Sequence, residues 1–152
     1  MMNEKRFSPA VEKILRAGGW REGRDVPLSS LSLSCEYQIF PEAEKILREF
    51  GGLSFGVAGR GIDTWTQKIT VDPRSGDLGY SNISSFKDVY PIGSRDRGNV
   101  FIYVDRDGMI YEYSIQASDD LECIKFTFYE AIEKMLLGRK WWASDTAVDH
   151  QK

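Results

Sequence analysis

Histidine occurs once, at His150, with Asp149 as its only neighbouring acid. Ser–His and Cys–His nucleophiles need an imidazole beside the attacking atom. A single histidine in a polar C-terminal stretch nearly closes off that chemistry. The two cysteines, Cys35 and Cys123, lie far apart and match no CxxC or zinc spacing. They read as two buried or half-buried thiols in a reducing compartment. Asp105-Arg106-Asp107-Gly108 begins like a calcium loop but lacks the third acidic position and the later glutamate, so it reads as a hairpin turn. Gly56-Val57-Ala58-Gly59-Arg60-Gly61 follows a strand pattern as a phosphate loop does. It has no GxxxxGK[ST] lysine and no clear helix after it, so it reads as a flexible loop. Asp119-Asp120 is most simply a solvated turn or a helix start. Paired carboxylates for glycoside chemistry are defined by a distance in space, which sequence spacing does not give. No catalytic residue, metal ligand or cofactor is assigned on these grounds.

The positions of these groups depend on the elements that carry them. A chain of 152 residues is long enough to bury a core without staples and has one domain as its prior. Hydrophobic residues make up 41% and charged residues 28%, which excludes both a disordered and a membrane-like composition. No apolar run approaches the roughly 18 residues of a spanning helix. The charged start, Met1 to Arg6, has no apolar run behind it, so no secretory signal is expected and the protein is expected in the cytoplasm. The net charge of −3 is not the clustered basic surplus of a nucleic-acid binder.

The centre of the pattern is Phe40 to Phe55. Pro41 suits a first helical position, and Ala43, Ile46, Leu47 and Phe50 form one apolar stripe. Gly51-Gly52 stops that helix, and Leu53, Phe55 and Val57 then alternate with Ser54 and Gly56 as one face of a strand. Upstream, Ser8 and Pro9 start a helix over about 9–17, ended by Gly18-Gly19. Pro27 to Ser34 admits both helical and extended readings. Downstream, Trp65, Gln67, Ile69 and Val71 share one face of a strand, with threonines on the other. Asp72 to Gly76 is a turn. Residues 77–98 read as a long decorated connection holding one short helix or strand. Val100–Asp105 and Met109–Ser114 form a hairpin across Asp-Gly. Thr127 and Glu130 make a capping box for a last helix that ends at Gly138. The fold class is α+β, with a mainly antiparallel central sheet, N-terminal helices and a C-terminal helix packed on it. One domain is expected over residues 1–140, with 141–152 as a flexible tail. Trp20 and Trp65 are expected in the core. Of Trp141 and Trp142, one ring can fold back and the other can be exposed.

The ordered signals resemble a known family. Gly18-Gly19-Trp20 with Gly23-Arg24 is similar to its early signature, and Phe50-Gly51-Gly52-Leu53 to its helix-to-strand turn. Asp72-Pro73, Tyr90-Pro91-Ile92-Gly93, the Asp105–Gly108 hairpin with Ile110-Tyr111, and Leu136-Leu137-Gly138 follow in its order. Together they resemble the SUKH superfamily, in its third immunity-protein subgroup, over about Val11 to Gly138. The double glycine before Trp20 and the segment 114–125, which has no glycine-containing turn, depart from that pattern.

The resemblance implies a non-enzymatic protein that binds and neutralises a cognate bacterial toxin domain, often a nuclease or another nucleic-acid-modifying enzyme. A regulatory protein-binding adaptor is the alternative. It implies a protein partner, no direct nucleic-acid or membrane contact, and a monomer or weak homodimer. For a basic toxin surface, Tyr anchors and Asp carboxylates are the expected contacts. The candidates are Asp63, Asp77, Tyr80, Asp88, Tyr90 and Asp96, with Trp142 as an exposed aromatic contact.

Overall fold

The computed structural model describes residues 6–33, 37–76, 86–114 and 120–141. Helix α1 (Pro9–Ala17) starts where its cap places it: the Ser8 hydroxyl accepts from the Val11 N–H at 3.3 Å. Helix α2 (Pro41–Phe50) buries Ala43, Ile46, Leu47 and Phe50, the stripe read from sequence. Helix α3 (Phe128–Leu137) carries the capping box in full. Thr127 Oγ1 accepts from Glu130 N–H, and the Glu130 carboxylate accepts from Thr127 N–H. Leu28–Ser30, in the segment left open, is a single 3-10 turn.

Among the described residues eight strands occur, in chain order: β1 (Ser54–Phe55), β2 (Gly59–Arg60), β3 (Trp65–Thr66), β4 (Ile69–Thr70), β5 (Val89–Arg95), β6 (Val100–Asp105), β7 (Met109–Ser114) and β8 (Glu122–Thr127). Six of them form an antiparallel sheet in the order β1-β4-β5-β6-β7-β8, and β2 and β3 form a separate hairpin. The expected α+β class is the observed one. Strands β5 and β6 are buried at nearly every position, the signature of strands covered on both sides. Rings join the layers: Phe40, which caps α2, stands edge-on to Tyr90 of β5, and Phe50 of α2 stands edge-on to Phe128 of α3.

Three expectations need correction. Part of the 77–98 connection is β5, a full seven-residue strand at the heart of the sheet. The strand expected across 64–71 is broken at Gln67-Lys68. Its first part, β3, pairs with β2, while its second, β4, pairs with β1 and β5. Strand β1 ends at Phe55 because Gly56 takes φ +88°, which turns the chain out of the sheet and leaves Val57 73% exposed.

Two polar hubs bind the layers. Glu49 of α2, only 14% exposed, accepts from Arg6 at 2.6 and 3.1 Å, from Trp20 Nε1 at 2.9 Å and from the Tyr129 hydroxyl at 3.4 Å. It thereby joins the N-terminal segment to α2 and α3. Arg95 of β5 makes a bidentate pair with Glu112 of β7, at 2.7 and 2.9 Å, and donates to Gln67 Oε1 at 3.2 Å. The Arg95 guanidinium also lies 4.8 Å over the Trp141 ring. Trp141 is 4% exposed, so this is the ring of the tryptophan pair that folds back onto the body.

Candidate partner-binding surface

The β2–β3 hairpin is short, yet its position is fixed. Gly59 pairs with Thr66 and Arg60 with Trp65. The Thr66 hydroxyl donates to the Val57 carbonyl at 2.6 Å. The last carbonyls of an α-helix have no intrahelical donors, and here the hairpin supplies them. Ile62 N–H donates to Leu137 O at 3.1 Å, and Asp63 and Thr64 N–H both donate to Gly138 O, at 2.7 and 2.8 Å. Gln67 N–H donates to Met135 O at 3.1 Å. This approach requires glycine on both sides. A Cβ on Gly61 would lie 2.5 Å from Gly138 Cα, and Gly138 itself is left-handed at φ +73°.

The side chains of this hairpin are as unsatisfied as its backbone is satisfied. Val57, Ile62 and Trp65 are 73, 57 and 63% exposed, and they are the large apolar side chains that stand exposed among the described residues. Trp65 was expected in the core. Its strand leaves the main sheet, and the ring borders a cleft of about 610 Å³ with Thr66, Lys68, Arg95, Asp96 and Arg97. A second hollow of about 530 Å³ lies against Phe55, Val57, Arg60 and Leu136, and Thr66 borders both. The cleft is framed by the turn between β5 and β6, where Asp96 and Arg97 hold left-handed φ values of +54° and +56°. Such values are uncommon for residues with a Cβ and mark a turn fixed by its surroundings.

At the opposite end of β5 and β6 lies the turn between β6 and β7. Asp105 Oδ1 accepts from Asp107 and Met109 N–H, both at 2.9 Å, and Oδ2 accepts from the Tyr111 hydroxyl at 3.1 Å. Burial, and then the bond to this carboxylate, push the Tyr111 phenol up to about 12. The Tyr129 phenol is likewise pushed up to about 12, first by burial and then by the Glu49 charge. The Asp-Gly motif is thus a turn built on one carboxylate. Among the described residues no group of three or more His, Cys, Asp or Glu side chains could hold a metal ion. His150 and Cys35 lie outside the described residues, and Cys123 is a half-buried free thiol.

The predicted contacts are therefore divided. Asp63 is exposed in the hairpin loop, and Asp96 is exposed on the rim of the cleft. Asp88 is exposed at the other end, beside Asp105 and Asp107. Tyr90 is 1% exposed, its ring 6.3 Å from Tyr37 and 6.4 Å from Phe40, so it serves the core and is unavailable as a surface anchor. Its place in β5, unrecognised in the sequence, is the reason. Asp77, Tyr80 and Trp142 lie outside the described residues. The sequence reading missed Val57, Ile62 and Trp65 as surface residues. The signal that could have found them is the glycine at 56, 59 and 61, which interrupts the apolar pattern.

The arrangement is an α+β body whose exposed apolar hairpin is bonded to the end of α3. The sequence matches the family model of the SUKH-3 immunity proteins over residues 7–138, and the chain belongs to that family. No curated protein and no solved structure matches it. Among the described residues no helix is long and apolar enough to cross a membrane.

Proposed function

We propose that this immunity protein binds and neutralises a cognate polymorphic toxin domain, a nuclease or another nucleic-acid-modifying enzyme, by one-to-one occlusion of its active site or substrate groove. The family match over residues 7–138, nearly the whole packed body, carries this reading. The protein acts in the cytoplasm by binding alone, without catalysis, as a monomer or weak homodimer. Tight binding needs roughly 800 Å² per partner around a few buried anchors. The exposed carboxylates Asp63, Asp88 and Asp96 are candidate contacts for a toxin's basic groups, with Asp77, Tyr80 and Trp142 as further candidates. Electrostatic steering by such groups speeds capture.

Co-expression with the toxin domain encoded beside the gene tests the reading. A stable complex and rescued growth are expected. Neither complex nor rescue from a well-folded chain would contradict it for that pair.

A further inference from the structure

We propose that the β2–β3 hairpin and the cleft beside it form the docking surface, and that the partner's facing surface is an apolar depression rimmed by carboxylates. This rests on the immunity reading, under which that partner is the toxin domain.

Val57, Ile62 and Trp65 gather within nine residues of chain, and exposed apolar groups collected in this way mark an interaction site. Trp is among the commonest anchors of protein interfaces. The hairpin is pre-organised, since Ile62, Asp63, Thr64 and Gln67 N–H groups are all fixed on the end of α3. Binding therefore orders little new backbone, which lowers its entropic cost.

Charge indicates what sits opposite. Arg60, Lys68 and Arg97 surround the anchors and are exposed, and none makes an ion pair among the described residues. Arg95 is neutralised within the fold by Glu112. These three cations stand beside two exposed carboxylates, Asp63 and Asp96, so this end has a surplus of one positive charge in a chain of net charge −3. A second copy docked face to face would bring the same cations together, which disfavours self-association. Asp63 and Asp96 disfavour a phosphate backbone, whereas carboxylates on a protein can be matched to the cations one by one. Strand addition at β8 is also disfavoured. That edge is interrupted by Lys125 at φ +64° and by a shift in its register with β7.

The test measures the affinity of the full chain for a catalytically inactivated toxin domain encoded beside it, at low and high salt. Trp65→Ala is expected to weaken binding about 30-fold, the size of an interface hot spot. The double reversal Lys68→Glu/Arg97→Glu should weaken it about tenfold and remove most of its salt dependence. Asp107→Lys, an exposed position at the opposite end, should change it less than about threefold. If Trp65→Ala lowers the melting temperature, Ile62→Ser reads the same surface and is expected to weaken binding as well. Unchanged affinity in the hairpin variants, from a wild-type chain that binds the toxin, overturns the inference and leaves the immunity reading standing. A wild-type chain that neither binds nor rescues growth removes both. Trp65-dependent dimerisation, or Trp65-dependent binding of a single-stranded oligonucleotide, also overturns the inference.

Discussion

At the β6–β7 end of the sheet, Asp105 directs both carboxylate oxygens at its own turn, accepting from Asp107, Met109 and Tyr111. At the β5–β6 end, some 20 Å away along the strands at about 3.3 Å per residue, the backbone of the 61–67 segment is bonded to α3 while Val57, Ile62 and Trp65 point to solvent. In the first region side chains serve the backbone. In the second the backbone is satisfied elsewhere, and the side chains remain available. Both turns contain aspartate, so composition alone does not separate them. What separates them is whether a polar side chain has its partners within the fold. A carboxylate already bonded to three donors has little left for a partner, whereas an exposed indole on a rigid hairpin gains from being covered.

The comparison can be broken or sharpened in several ways. Glu112→Ala should have the largest effect on stability. It leaves the Arg95 guanidinium, 15% exposed, without its carboxylate under the cleft. A loss of about 3 kcal/mol is expected, or roughly 10 °C in Tm by calorimetry. A much smaller loss would mean that the hairpin end does not rest on this pair. Asp105→Ala should cost about 2 kcal/mol through its orphaned donors, read as a lower urea midpoint. It should leave toxin binding intact, because that carboxylate is internal to its turn.

The alkaline limb is a finer probe. Tyr111 and Tyr129 both titrate in the fold at about 12, against a usual value of about 10. The unfolded chain loses these protons first as pH rises. Their stabilising contribution is therefore complete below about pH 10 and lost between about 10 and 12. Tyr111→Phe and Tyr129→Phe should each flatten the fall of Tm in that window. An unaltered slope in both would mean that neither phenol is held as described. The smallest effect belongs to Trp65→Ala, whose stability should stay within about 0.5 kcal/mol of wild type because the ring supports nothing in the core. A large loss there would return Trp65 to the structural role first expected of it.

Much of the scaffold was legible before any coordinates. The Ser8 cap, the Pro41 start and the Thr127–Glu130 box are local devices, and each acts within one turn of its own residues. The Asp-Gly hairpin is equally local. Strand β5 was not, because Pro91 and Gly93 argue against a central strand. The sheet accommodates them through a register shift between these two residues. Strand β8 was missed for a related reason: Lys125 at φ +64° interrupts an otherwise ordinary strand. The docking hairpin was the least legible region. The threonine alternation around Trp65 is real, but which sheet receives a two-residue strand is decided by α3, some seventy residues later in the chain. Asp63 and Asp96 were legible as exposed loop carboxylates, whereas Tyr90 was not legible as a core ring until its strand was known.

The most direct measurement is growth of cells producing the neighbouring toxin domain together with this chain, wild type or Trp65→Ala, at matched soluble levels. The account predicts rescue by the wild type and its loss in the variant, with both proteins folded. Failure of the wild type to rescue would contradict the immunity role for that toxin, and full rescue by Trp65→Ala would contradict the hairpin as the surface that delivers it.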